Sequence, residues 1–146
     1  MNIDLVPANQ SDAEDLVKLR IAAMRDSLER IGRFDPQRAR DRFLSGFSPE
    51  HTRHICIDGT RIGFVVAKPD ADGLILDHLY ITPERQNSGI GSRVLKMIFE
   101  EADEKGLLIR VGALKGSDSN RFYVAHGFTP VEEAEWDIYY VRHPRQ

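Results

Sequence analysis

Hydrophobic and polar positions along this chain change period several times, and each change marks an element. From Asn2 to Val6 the two kinds alternate, which predicts a first strand. Val17, Ile21, Met24, Leu28 and Ile31 then recur at 4-3-4-3 spacing, the stripe of an amphipathic helix that Gly32 stops. Ser11 with Glu14 three residues on has the form of a capping box and predicts where that helix starts. Asp35 before Pro36, an acidic cap followed by proline at the first helical position, predicts a second helix reaching about Phe47.

Beyond Phe47 the period drops to that of strands. His54 to Ile57 and Arg61 to Ala67 are β-rich runs joined by Asp58-Gly59, a strong hairpin signal. A second turn, Asp70-Ala71-Asp72-Gly73, leads into Leu74 to Ile81, so a three-stranded antiparallel meander is predicted. Helical spacing returns with Val94, Leu95, Ile98, Phe99 and Ala102, in a helix expected to begin near Ser92 and to end at Gly106. Leu107 to Leu114 is the next strand, and the helix before it predicts parallel pairing with Leu74 to Ile81. A short helix from Ser119 to His126 ends at Gly127, and Phe128 to Val131 with Trp136 to Val141 read as a closing pair of strands. The order is β-α-α-β-β-β-α-β-α-β-β, with no repeat or linker. This is the pattern of one α/β domain over residues 1–146.

Charge and cysteine usage narrow the class. A formal charge of −3 over 146 residues argues against general nucleic-acid binding, which needs a basic surface. The local cluster Arg30, Arg33, Arg38, Arg40 and Arg42 is interleaved with Glu29, Asp35 and Asp41, as on a solvated, salt-bridged surface. Cys56 is the single cysteine, so no disulfide forms within the chain, which fits a reducing cytoplasm, and its place between Ile55 and Ile57 suits a small core residue. Met1-Asn2-Ile3-Asp4 lacks the charged and apolar regions of a signal peptide, and no apolar run approaches a membrane span. Edge strands such as the last hairpin leave a homodimer open. His51 and His54 are three apart, but His78, His126 and His143 share no ligand spacing with them, so no metal is expected. His126, at a helix end just before Gly127, sits where the dipole favours a cation.

One segment carries chemistry. Gln86-Asn87-Ser88-Gly89-Ile90-Gly91 joins a strand to a helix that begins near Ser92. Two glycines let the backbone approach an anion, the first-turn N–H groups lack intrahelical partners, and the helix dipole favours negative charge there. A dinucleotide fingerprint would need a third glycine where Val94 stands, and a Walker P-loop would need Gly-Lys-Ser/Thr where the chain has Gly91-Ser92-Arg93. The phosphate carrier is therefore of another kind.

Some thirty residues on, Ser117-Asp118-Ser119-Asn120-Arg121-Phe122-Tyr123-Val124-Ala125-His126-Gly127-Phe128 places Phe-Tyr, three residues, then Gly-Phe after a strand. Paired with Gln-x-x-Gly-x-Gly and with the Asp58-Gly59-x-x-Ile62-Gly63 hairpin, this resembles the GNAT superfamily of acyl-CoA-dependent N-acetyltransferases over nearly the whole chain. The resemblance implies a mixed, mostly antiparallel sheet of six or seven strands flanked by about four helices, with a splayed central strand pair forming the acyl-CoA cleft. It implies acetyl-CoA as co-substrate and a primary amine of a small molecule or peptide as acceptor, with direct transfer in a ternary complex.

Site residues follow from the same resemblance. Gln86, Asn87, Ser88, Gly89, Ile90, Gly91 and Ser92 would hold the CoA pyrophosphate by main-chain N–H groups. Leu79, Tyr80 and Ile81 would pair their main chain with the pantetheine arm, and Asn120 and Phe122 would contact that arm or the adenine end. Tyr123 matches the tyrosine that sits near the thioester sulfur and protonates the departing thiolate. Some members carry a glutamate on the strand before the pyrophosphate turn; here the matching stretch offers Asp77 and His78, which an alternating strand points to opposite faces. Met24, Arg25, Phe34, Trp136, Tyr139 and Tyr140 are candidates for the acceptor pocket, and each also suits ordinary packing. The absent glutamate keeps a second expectation in view, a non-catalytic CoA-binding regulatory module, and a different phosphate ligand such as a nucleotide is the third.

Overall fold

The computed structural model describes residues 2–30 and 32–146. Its elements are β1 (Ile3–Pro7), α1 (Ala13–Arg30), α2 (Pro36–Ser45), β2 (Thr52–Ile57), β3 (Thr60–Asp70), β4 (Gly73–Ile81), α3 (Ile90–Glu104), β5 (Leu108–Leu114), α4 (Ser119–Ala125), β6 (Thr129–Glu133) and β7 (Asp137–Arg142). The order is the predicted one; Met1 and Ile31, the last residue of the expected stripe on α1, lie outside the described residues. Seven strands form one sheet in the order β1-β2-β3-β4-β5-β7-β6. The pairs β1–β2, β2–β3, β5–β7 and β6–β7 are antiparallel and β4–β5 is parallel. The mixed α/β architecture with four α-helices is the one expected. The parallel register runs from Gly73↔Leu108 to Leu76↔Val111, and both strands continue past it.

Turn chemistry explains the hairpins. Asp58 and Gly59 both have positive φ, 50° and 84°, the backbone of a two-residue turn whose twist matches its strands. The sheet edges are β1 and β6; Pro7 ends the first, and the second carries Pro130, Glu132 and Glu133 with every residue exposed.

Several boundaries differ from expectation for local reasons. Asn9 caps the first helical segment in a reciprocal capping box with Asp12, through a 3₁₀ turn at Gln10–Asp12, so the start signal is Asn9/Asp12 and not Ser11/Glu14. The face of α1 that packs inward is Leu16, Val17 and Arg20, while Ile21, Met24 and Leu28 are only half-buried. Arg20 Nη1 donates to the Ala39 carbonyl at 2.6 Å, so a guanidinium packs inward at a position outside the predicted stripe. Asp35 caps α2 as expected, accepting from the Arg38 N–H, and Gly46 ends the helix one residue before Phe47. Ile90, 1% exposed, starts α3 two residues before Ser92, because burying it draws Gly91 into the first turn. Trp136 lies in the turn before β7.

The chain falls into two compact units, one comprising residues up to Val66 with His78–Gly91, the other Ala67–Asp77 with Ser92–Gln146. In the first, Leu16, Val17, Phe43, Phe64 and Val66 form a buried cluster against which Phe47 and Tyr80 pack. Beside it His54, 2% exposed, meets Asp12 at 2.9 Å, and Arg61 Nη1 meets the other Asp12 oxygen at 3.2 Å. The His54 hydrogen bond, helped by the Asn9 N–H, lowers the Asp12 pKa from 3.8 to about 2. In the second unit, Val94, Leu95, Ile98 and Ala102 of α3 and Ile109, Val111 and Ala113 of β5 are buried. Asp103 there takes both Arg142 nitrogens at 2.8 and 3.0 Å and the Arg145 N–H at 3.0 Å. The Arg142 guanidinium lies over the Phe99 ring at 3.9 Å, and its hydrogen bonds hold the Asp103 pKa at about 2. Each unit thus carries a charge network around a carboxylate of lowered pKa.

Gly63 marks the tightest main-chain approach in the first unit. The β2–β3 register shifts from Ile55↔Gly63 to Cys56↔Arg61, leaving Ile62 as a bulge. A Cβ on Gly63 would run into the Tyr80 carbonyl oxygen of β4. Gly63→Ala should therefore lower the unfolding free energy by about 1–3 kcal/mol, because backbone has to shift; an unchanged urea midpoint would show that the strands part freely. The Asp12 network has its own signature. A carboxylate whose folded pKa is depressed contributes stability above its unfolded pKa and loses it as pH falls through the folded one. The wild-type advantage over Asp12→Asn should be full above pH 4, on the order of 2 kcal/mol. It should vanish between about pH 4 and pH 2 in urea titrations, and a difference independent of pH would refute the assignment.

Candidate functional site

The glycine turn takes the shape that an anion cradle needs. After β4 a 3₁₀ turn at Pro83–Arg85 hands the chain to Gln86, whose side-chain amide donates to the Ile81 carbonyl at 2.9 Å. Ser88 Oγ donates to the Arg85 carbonyl at 2.5 Å. Asn87 and Gly89 adopt positive φ, 63° and 83°, and α3 starts at the next residue. Residues 83–89 are exposed, whereas Ile90 is buried and anchors the helix end. Nothing lies within 4 Å of the position a Gly89 Cβ would take, so this glycine answers the backbone angle and not crowding. The first-turn N–H groups of a fifteen-residue helix have no carbonyl of their own helix to bond, and its dipole adds positive potential.

On β4 the residues before the turn alternate as expected. Asp77 is exposed and its carboxylate lies 3.4 Å from Lys68 Nζ. Leu79 and Ile81 are half-buried on the same side of the strand by alternation. His78 and Tyr80 share the other side and join the aromatic cluster: the His78 ring lies 5.3 Å from Phe43, 6.1 Å from Phe64 and 5.5 Å from Tyr80. His78 Nδ1 and the Tyr80 hydroxyl are 3.5 Å apart. Of the two candidate bases, Asp77 meets a lysine at the surface and His78 meets phenol and aromatic faces.

Residues of α4 and its flanks make a second group. Tyr123, 7% exposed, packs its ring against Phe122, Phe128 and Tyr140 at 5.4, 5.3 and 6.4 Å. The Asn120 amide donates to the Leu114 carbonyl at 2.9 Å and to the Ser117 carbonyl at 3.0 Å, and accepts from the Tyr140 hydroxyl at 2.7 Å. Its side chain thus ties the end of β5 to α4 and β7. Phe122 is half-buried and stacks on His126 at 4.5 Å. His126 places Nδ1 2.7 Å from the Phe122 carbonyl and Nε2 2.9 Å from Ser92 Oγ. Sequence reasoning placed His126 only as a cation at a helix end and missed the serine; the i, i+4 spacing from Phe122 is a signal for the carbonyl bond alone.

The acceptor-pocket candidates each have local partners within their own unit. Arg25 pairs with Glu29 at 2.8 Å and lies over the Phe34 ring at 5.1 Å, while Met24 is half-buried. Trp136 and Tyr139 are 44% and 38% exposed, and Tyr140 is buried in its bond to Asn120. Among the described residues no group of three or more His, Cys, Asp or Glu could hold a metal ion, and no helix is long and apolar enough to cross a membrane.

Known proteins share this fold. PaiA N-acetyltransferase from Thermoplasma acidophilum, solved in complex with coenzyme A, is similar with a TM-score of 0.80 and 19% identity over 98% of this chain and 99% of that one. The ribosomal-protein-S18-alanine N-acetyltransferase from Escherichia coli is similar with a TM-score of 0.74 and 13% identity over 99% and 96%. At these identities the likeness is one of fold. A stretch of 53 residues, 35% of this chain, is 45% identical to the tRNA(Met) cytidine acetyltransferase TmcA 2 of Saccharolobus solfataricus. It spans 7% of that protein's length. The family model described as Acetyltransferase (GNAT) domain matches residues 50–130, more than half of the chain, and takes in both the glycine turn and the Phe122-Tyr123 segment. The chain belongs to the GNAT acetyltransferase family.

Proposed function

We propose that this protein is an N-acetyltransferase that moves an acetyl group from acetyl-CoA to a primary amine of a small molecule or peptide, by direct transfer in a ternary complex. The observation that carries the reading is the left-handed pair Asn87 and Gly89, which opens the N-terminus of α3 to solvent. A diphosphate fits such a mouth, because exposed N–H donors and the helix dipole meet its charge without a basic side chain. Main chain at Leu79, Tyr80 and Ile81 is proposed to bind the pantetheine arm as an added strand would. Asn120 acts here through the turn it holds rather than by direct contact, since its amide has its bonds within the fold.

Acetyl-CoA supplies an activated thioester carbonyl; the chain supplies donors and a path for protons. Backbone N–H groups near Tyr80 and Ile81 face the charge that grows on the carbonyl oxygen during attack. Tyr123 gives its phenolic proton to the departing thiolate. The amine must lose a proton to become nucleophilic, and His78, beside the Tyr80 hydroxyl, is the proposed acceptor, directly or through water. Asp77 is less suited, because Lys68 faces its carboxylate. Cys56 is buried, and burial raises its pKa, so a covalent relay through it has no support. The Escherichia coli and Saccharolobus solfataricus relatives differ in the acceptor that their names state, and neither is carried over to this chain.

One observation favours a second reading. No carboxylate other than Asp77 stands on β4, so a CoA-binding module without turnover fits the same cradle. Two measurements separate the alternatives. Isothermal calorimetry with acetyl-CoA should show saturable binding to the wild type, and absence of binding would overturn both. With a panel of amines and a thiol-detecting readout, Tyr123→Phe should slow turnover by about 10²-fold while the acetyl-CoA dissociation constant stays put. Unaltered turnover would remove its proton-donor role, and no thiol release from the wild type with any amine would favour the silent module.

A further inference from the structure

We infer that Tyr140 is a positioning residue for Tyr123, its hydroxyl fixing Asn120 and Asn120 fixing the helix that carries Tyr123; this rests on the proton-donor role proposed above for Tyr123. The make-up of α4 explains why an outside hold is needed. It has seven residues, about half the length at which an isolated helix sustains itself. Asp118 stands at its N-cap but makes no side-chain cap bond. Its first turn is tied down by Asn120 instead, whose amide donates to the Leu114 carbonyl at 2.9 Å and to the Ser117 carbonyl at 3.0 Å. Asn120 and Tyr123 are three apart and share one side of the helix, so what sets the first sets the second.

An asparagine amide offers two hydrogens and one oxygen, and here each has a partner. Carbonyls can only accept, so the amide nitrogen has to face Leu114 and Ser117, and the oxygen is left to a donor. Tyr140 on β7 supplies it, donating its hydroxyl at 2.7 Å. The Tyr140 ring is 4% exposed and lies 6.4 Å from the ring of Tyr123. Tyr140 therefore meets Tyr123 by two routes, one through packing and one through Asn120. Without the hydroxyl the Asn120 oxygen loses its donor, the amide is free to turn, and α4 loses its registration on β5 and β7. Tyr140 touches no reacting atom; its effect is on turnover.

A double-mutant cycle on thiol release from acetyl-CoA tests this, with spermidine, lysine, tyramine and tetraalanine as the amines. Tyr140→Phe should lower kcat on the order of tenfold, since misplacing a catalytic group by about 1 Å costs up to roughly 10²-fold. The KM for acetyl-CoA should stay unchanged. In a Tyr123→Phe background the same substitution should cost less than about twofold, because the group being positioned has lost its proton. Equal losses in both backgrounds, or a kcat that Tyr140→Phe leaves untouched, would overturn the inference. Asn120→Asp keeps an acceptor for Tyr140 but sets a negative charge against two carbonyls. It should show the same dependence on Tyr123, and it decides the cycle if the Tyr140 variant does not fold. A wild type that releases no thiol with these amines, or a Tyr123→Phe single variant of full activity, would overturn the reading beneath this role. An active wild type with additive losses would overturn the role alone.

Discussion

Four residues impose the constraint on which the turn before α3 rests. Between Asn87 and Ile90 the chain has to pass two left-handed positions and then bury an isoleucine completely. Ordinary side chains resist the first demand and solvent resists exposure of the second, so each fixes the other. The left-handed residues leave the helix end bare, and the buried isoleucine prevents that end from fraying or drifting. A bare helix start held in place is a fixed source of hydrogen-bond donors, which binds anions without any lysine or arginine.

The side chains of the candidate site mostly hold one another. Asn120 spends its amide on two carbonyls and a phenol, His126 joins a carbonyl to a serine, and Gln86 reaches back to the end of β4. These bonds shape backbone. The same division appears in the packing. Asp12 with His54 and Arg61, and Asp103 with Arg142 and Arg145, place charge where apolar contact alone would leave the geometry of loop and helix ends loose.

Periodicity made most of the fold legible. Asp58-Gly59 named its own turn because two positive φ angles in succession admit few residues, and the stripe on α3 matched its buried face except for Phe99, which is half-buried under a guanidinium. The parallel pair followed from a helical crossover, which leaves little choice of hand or direction. What escaped were features set by partners distant in sequence. Asn9 and Asp12 outcompete Ser11 and Glu14 as a cap because Asp12 is also drawn by His54, 42 residues away. Arg20 occupies an inward position because Ala39 offers a carbonyl there. The site divided likewise: the glycine turn and the Phe-Tyr segment were visible as motifs, while the contrast between Asp77 and His78 needed Lys68 and Phe43 to be in place.

The two prolines on the outermost strands have a consequence for how copies of this protein can meet. Proline has no amide hydrogen to offer a neighbouring strand, and at the β6 border two glutamates stand beside it. A foreign strand docking there would find the ladder broken and its own acidic groups repelled. Growth of the sheet from one molecule into the next, the route by which open-sided β proteins form fibrils, is thereby hindered most at β6 and, at the other rim, where Pro7 ends β1.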